Sequence, residues 1–240
     1  MKNWVATTLF ALTAWAIPTL ASAGEEQPAP HEAWEHLWHE LLIDLWVIGI
    51  VFGIAAGYML FKYRAKSPED VGNPPTLSKG QVWAWALVPV FLFMADDFYL
   101  AAKGWSLWNL QRTVPENSME VKVTGMQWSW EFEYENGVIS DTLMVPVGRP
   151  IVLRMSSSDV LHSFGLHAYR VKEDLMPGRI TYLWFMPNKP LKTFVTCTEY
   201  CGMAHAEMQS DVIAVPEEQF NEWLEKEAAE ASASREGSES

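Results

Sequence analysis

Leu41–Phe61 is an apolar run of 21 residues broken by one acid, Asp44, near its start. At the helical rise of 1.5 Å it is about 30 Å long, the thickness of a bilayer's hydrocarbon core. Lys62, Arg64 and Lys66 follow at once, and basic residues beside a span place the 62–80 connector in the cytoplasm. Pro68, Gly72, Pro74 and Pro75 make that connector a link rather than a domain. A second run, Val82–Ala95, is only 14 residues long. Continued through Asp96 and Asp97 to Ala102 it reaches 21, enough to cross. The chain is therefore expected to form a two-helix transmembrane hairpin with spans at about 41–61 and 82–102. The paired acids then face protein or water, because a charge in hydrocarbon is costly. Trp83, Trp85, Trp105 and Trp108 sit near the two ends of the second run, at the depth indole rings prefer.

Upstream, Lys2, the apolar stretch Trp4–Leu20 and Ala21-Ser22-Ala23 have the layout of an export signal over residues 1–23. Cleavage leaves an N-terminus outside the cytoplasm, and two spans return the chain to that side. Residues 24–40 carry His31, His36 and His39 among Trp34 and Trp38. They read as an interfacial helix in preference to a metal-binding cluster.

After about Thr113 the period changes. Val121, Val123 and Gly125 alternate with polar residues, and Trp128, Trp130, Phe132 and Tyr134 continue the alternation. Asn136-Gly137 is a hairpin turn signal. Further strands are expected at 139–147, 151–155, 181–185, 193–196 and 211–215, which argues for an all-β Greek-key sandwich over 113–216. A terminal helix over 216–230 presents Phe220, Trp223 and Leu224, and the Ser/Ala/Glu-rich 231–240 reads as a disordered tail closing the 217–240 segment.

The chain has 17 Lys and Arg against 30 Asp and Glu, a net charge of −13. A nucleic-acid binder needs a basic face, so that class is excluded and a basic partner is favoured. Two cysteines are too few for a disulfide scaffold. Both lie in Cys197-Thr-Glu199-Tyr-Cys201-Gly-Met-Ala-His205-Ala-Glu-Met208. Cys201, His205 and Met208 have the order of a blue-copper loop, which takes one thiolate, two imidazoles and a weak thioether. His162, in Asp159-Val-Leu-His162-Ser-Phe, is placed after a strand at the mouth of the sandwich as the second imidazole. Cys197 is then a surplus thiolate, and two thiolates can bridge two metals. Soft donors select copper, and a rigid β scaffold suits one-electron transfer. A disulfide and a structural zinc stay open, though His205 and Met208 at these offsets disfavour the first and a thioether the second. Met203 and His167 read as packing or surface residues.

The motif C-x-E-x-C-G-x-x-H-x-x-M with its upstream H-S-F resembles subunit II of the haem–copper respiratory oxidases, the CuA-bearing subunit of cytochrome c oxidase. Gly125-Met-Gln127-Trp128-Ser-Trp130 and Val171-Lys-Glu-Asp174-Leu-Met-Pro177-Gly178-Arg179 extend the likeness, over about 35–220. It implies a cupredoxin-like domain outside a bacterial-type inner membrane. It implies a dinuclear copper held by His162, Cys197, Cys201, His205 and Met208, with Glu199 giving its backbone carbonyl. It places the Glu199 carboxylate near magnesium at the interface with the catalytic subunit I. It implies electron transfer from cytochrome c at Trp128, a copper-insertion chaperone, and oxygen reduction in the partner rather than in this chain. Glu131, Glu133 and Asp141 are candidates for steering a basic cytochrome.

Two features depart from the family. Val82 stands where a glutamate often marks a proton path, and Asp96-Asp97 matches no familiar family element. No C-x-x-C-H is present, so electrons come from a separate cytochrome. The rivals are the same module in a nitric oxide reductase, a membrane-anchored copper chaperone, which needs one exchangeable copper and no aromatic docking strand, and a disulfide-bonded receptor domain.

Overall fold

The computed structural model describes residues 28–72 and 76–238. The export signal expected from the sequence, and residues 73–75 of the expected connector, lie outside the described residues.

Helix α1 is Pro30–Lys62 and helix α2 is Lys79–Arg112. Proline at the first position opens α1, where its missing N–H is no loss. A capping box opens α2: Ser78 Oγ accepts from Gln81 N and Gln81 Oε1 from Ser78 N. The expected interfacial segment and first span are thus one helix, because nothing between Glu32 and Leu41 breaks it. Glu40 ties the pair, accepting from Tyr99 Oη at 2.9 Å and lying 3.4 Å from Lys103 Nζ. Among the described residues none of α2 is buried, and both helices are long and apolar enough to cross a bilayer.

Ten strands follow: β1 119–126, β2 129–134, β3 139–140, β4 143–146, β5 151–157, β6 162–166, β7 171–175, β8 181–185, β9 191–197 and β10 209–215. They form two five-stranded sheets, β3-β2-β1-β5-β8 and β4-β10-β9-β6-β7. Alternation sets which side chains face inward. Met119, Val121 and Val123 of β1 and Trp130, Phe132 and Tyr134 of β2 are all buried. Trp130 and Phe132 meet Phe164 of the opposite sheet edge-on, at 5.3 and 6.3 Å between centroids.

The structure differs from the sequence reading at four places. Trp128 leaves the buried series: it sits in the turn between β1 and β2 and is 38% exposed. The expected 139–147 strand breaks at Asp141-Thr142, where Ser140 Oγ accepts from Thr142 N. Its halves join different sheets, β3 pairing with β2 and β4 with β10. Strands β6 and β7 give no strand signal in the sequence: His162–Leu166 is buried on both faces and shows no period of two, and Val171–Leu175 carries three charged residues in a row. Helix α3 runs Glu217–Ser238, past the expected disordered start at 231. Alanine and glutamate favour helix there, and Ser232 Oγ bonds back to the Ala228 carbonyl. Phe220 and Trp223 of α3 pack on Tyr134.

Phe132→Ala should cost about 3–5 kcal/mol. Denaturant unfolding of the detergent-solubilised chain, read by tryptophan fluorescence, measures it.

Candidate metal centre

Strand β9 ends at Cys197 and β10 begins at Gln209. Cys197 N donates to the Met208 carbonyl at 3.0 Å, so the loop between them is pinched shut at its base. That loop folds its sulfurs inward. Cys197 and Cys201 are both buried and free, with their sulfurs 3.7 Å apart. A disulfide needs about 2.05 Å. Met208 Sδ lies 3.7 Å from Cys201 Sγ, and His205 Nδ1 lies 3.6 Å from the same sulfur. The Glu199 carbonyl accepts from Cys197 Sγ at 3.1 Å.

His162 arrives from the neighbouring strand. It is the first residue of β6 rather than part of a loop after a strand, and it is fully buried. Strand β6 pairs with β9 through Phe164 and Cys197, which brings His162 Nδ1 to 4.0 Å from Cys197 Sγ. Each thiol therefore has its own imidazole nitrogen, with a carbonyl beside one sulfur and a thioether beside the other. The donor atoms of His162, Cys197 and Cys201 lie within 4.8 Å of one another.

Asp159 orients His162. Its Oδ1 lies 2.8 Å from His162 Nε2, and its carboxylate also accepts the N–H groups of Gln127 and Val160. Burial pushes this carboxyl upward, but the hydrogen bonds from His162 and the two amides outweigh it and hold the pKa at about 2. An ionised Asp159 can only accept, so Nε2 carries the proton and donates it to the hydrogen bond, which leaves the Nδ1 lone pair facing the sulfurs. Burial first, and then the neighbouring Cys197, push the Cys201 thiol up to about 11. Two thiolates side by side in this pocket are unstable alone, and a cation between them removes that penalty. Two thiols, two imidazoles and a thioether fit a soft metal such as copper, and the thioether fits zinc poorly.

Trp128 roofs the loop. Gly202 has φ +126, and a Cβ there would meet Gln127 Nε2 at 2.8 Å and Trp128 Nε1 at 3.2 Å. Gln127 Nε2 donates to the Cys201 carbonyl at 2.7 Å, fastening the β1–β2 turn to the thiol loop. Trp128 also lines a surface hollow with Asp141, Phe194 and Asp211. Glu131 and Glu133 lie on the outer face of β2, where Lys122 Nζ pairs with Glu133 at 2.8 Å. Met203 is 92% exposed, and His167 is a surface residue bonded to Thr196 Oγ1. His31 packs on Tyr169, away from the thiols. The roles of Asp159 and Gln127 escaped sequence reasoning. Asp159 sits three residues before a histidine in a Ser-Ser-Asp turn, a usable signal. Nothing in the spacing marks Gln127.

A two-sheet sandwich with thiolate, imidazole and thioether donors on one loop, joined to two apolar helices, defines a membrane-anchored domain of the cupredoxin class. Residues 138–215 match the family described as cytochrome c oxidase subunit II, periplasmic domain. The heme-copper oxidase subunit 2 of Aeropyrum pernix is 31% identical over 218 residues, 78% of this chain and 88% of that protein. The alternative cytochrome c oxidase subunit 2 of Bradyrhizobium diazoefficiens is 27% identical over 229 residues, 81% of each. The crystal structure of the periplasmic domain of subunit II of cytochrome oxidase from Bradyrhizobium japonicum has a TM-score of 0.47 at 29% identity. It covers 49% of this chain and 99% of that one. The chain belongs to the cytochrome c oxidase subunit II family and is a subunit of a haem–copper oxidase complex. Respiratory electron transport and copper binding follow from that family.

Asp159→Ala should weaken copper binding by about 10–100-fold, the usual effect of losing a residue that orients a metal-bound imidazole. Competitive titration of the reduced protein against a copper chelator checks it.

Proposed function

We propose that the chain is the electron-accepting subunit of a terminal respiratory oxidase. It docks a cytochrome c, holds a dinuclear copper centre, and passes single electrons to the haem-bearing catalytic subunit, where oxygen is reduced. The carrying observation is the pair of buried free thiols 3.7 Å apart, each with an imidazole nitrogen at 4.0 Å or less. His162, Cys197, Cys201, His205 and Met208 would hold the metal by side chain and Glu199 by its carbonyl. A dinuclear copper held by these residues would supply a one-electron store that changes charge with little nuclear rearrangement.

The protein's part is to hold these donors still. The pinched loop, the β6–β9 pairing and the Asp159 bond each remove a freedom the donors would have on a flexible segment. The exposed Glu199 side chain suits a magnesium site shared with the catalytic subunit. The aromatic ring of Trp128 over the thiol loop, with Asp141 beside it, suits the docking of a basic cytochrome. Glu133 is already paired with Lys122 and contributes less to steering. The two cysteines can take metal only while they stay reduced, as they are here, which suits a copper-insertion chaperone as a transient partner. In this reading residues 1–23 are a cleaved signal, 24–112 anchor the chain in a bacterial inner membrane, 113–216 lie on its outer side, and 217–240 are a helix and acidic tail. The chain itself reduces no oxygen.

The native complex should give an electron-spin spectrum of one unpaired electron shared over two coppers. A single-copper spectrum, or zinc on elemental analysis, would overturn the reading. Cys197→Ser should abolish the shared signal, whereas Met208→Leu should shift the potential and keep it. Asp141→Asn should slow cytochrome c oxidation at low salt, with the deficit vanishing as ionic strength rises. Oxygen against nitric oxide consumption by the complex distinguishes a reductase of nitric oxide, the reading that Val82 suggests.

A further inference from the structure

The outer ends of both helices rest on the sandwich. At α1, Ala29 and Pro30 are buried, and Glu32 Oε1 accepts from Asn188 Nδ2 at 2.7 Å. At α2, Trp184 Nε1 donates to the Leu110 carbonyl at 3.0 Å, and Tyr182 Oη donates to the Arg112 carbonyl at 3.3 Å. Both carbonyls lie in the last turn of α2, where the helix ladder runs out; Leu110's also accepts from Thr113 N at 3.3 Å. Strand β8 thus caps α2. Such a joint, built of a few polar contacts, leaves domain motion as the default.

One contact changes that. Arg112 Nη1 lies 2.6 Å from Glu173 Oε2, with the guanidinium 4.5 Å over the Trp108 ring. Glu173 belongs to β7, an edge strand of the second sheet, whereas Trp184 and Tyr182 belong to β8, an edge strand of the first. Arg112 therefore ties α2 across the seam between the sheets, to β7 as well as to β8. Strand β7 pairs directly with β6: Glu173 lies opposite Phe164, and Leu175 opposite His162. The ion pair thus connects the membrane helix to the strand that carries a metal-site imidazole. Glu173 is 16% exposed and Arg112 36%, so water and salt screen the pair less than an open surface bridge.

We propose that Arg112 and Glu173 are positioning residues: their ion pair fixes the sandwich over the membrane hairpin and so sets the rate of electron passage to the catalytic subunit. The inference rests on the function proposed above. A shift of about 1 Å far from the reacting groups can cost a hundredfold in rate, and a loosened joint moves the whole domain.

The test uses the complete oxidase complex with Arg112→Ala, Glu173→Ala, both together, and Arg112→Lys. Time-resolved reduction separates uptake from cytochrome c from onward transfer to haem. Hydrogen exchange reads the junction amides at 110–119 independently of metal. Each alanine variant should keep the copper spectrum and the uptake rate while slowing onward transfer about tenfold or more. The double variant should be no slower than either single one, as partners in one pair require. Arg112→Lys should recover most of the rate, and junction exchange should rise in the alanine variants alone. Onward transfer at the wild-type rate, unchanged junction exchange, or loss of the copper signal together with the rate overturns the proposal. A wild-type complex without the shared-electron signal instead defeats the functional reading, and the exchange data then decide the joint by themselves.

Discussion

Two thiols held side by side in a buried pocket are an unfavourable arrangement unless something cationic joins them. Burial and proximity raise the Cys201 pKa, and the fold neither closes the pair into a disulfide nor lets it reach water. Much of the architecture around the loop keeps that arrangement in place. The Cys197–Met208 backbone bond shuts the loop, Gln127 fastens it to the β1–β2 turn, and Asp159 aims the imidazole of His162. Such a site is preorganised: its donors need little movement when a metal binds or changes charge.

The sandwich supplies this rigidity because its two sheets share one packed interior. Phe164 touches Trp130 and Phe132 across the interior and lies opposite Cys197 in the ladder. The same residue therefore belongs to the hydrophobic core and to the register that places the ligands. Stability and site geometry are not separable here. The membrane hairpin adds a second constraint. Its helices do not contribute to that core, yet their outer ends meet both sheets, so the site has a defined place relative to the bilayer as well as a defined shape.

Much of this was legible in the amino-acid order. The apolar runs, the basic residues after Phe61 and the period-two patterns of β1 and β2 follow from local physics, which is why the hairpin and the sandwich could be expected. The spacing of Cys197, Cys201, His205 and Met208 is local too, since one loop carries all four. Trp128 shows the limit. It continues the alternation of Trp130, Phe132 and Tyr134, yet it stands in a turn over the thiol loop. A periodic pattern records no chain reversal when the residue at the bend is as apolar as its neighbours.

The amino-acid order sets which groups are available: two thiols, one imidazole and a thioether within reach along one loop, and helices long and apolar enough to cross a bilayer. It took the folded arrangement to bring His162 on β6 beside Cys197, to set Asp159 against its ring, and to join Arg112 to Glu173 from 61 residues away. Side-chain spacing within a segment is set by backbone geometry, whereas proximity between segments depends on strand pairing and sheet packing, which no local pattern encodes.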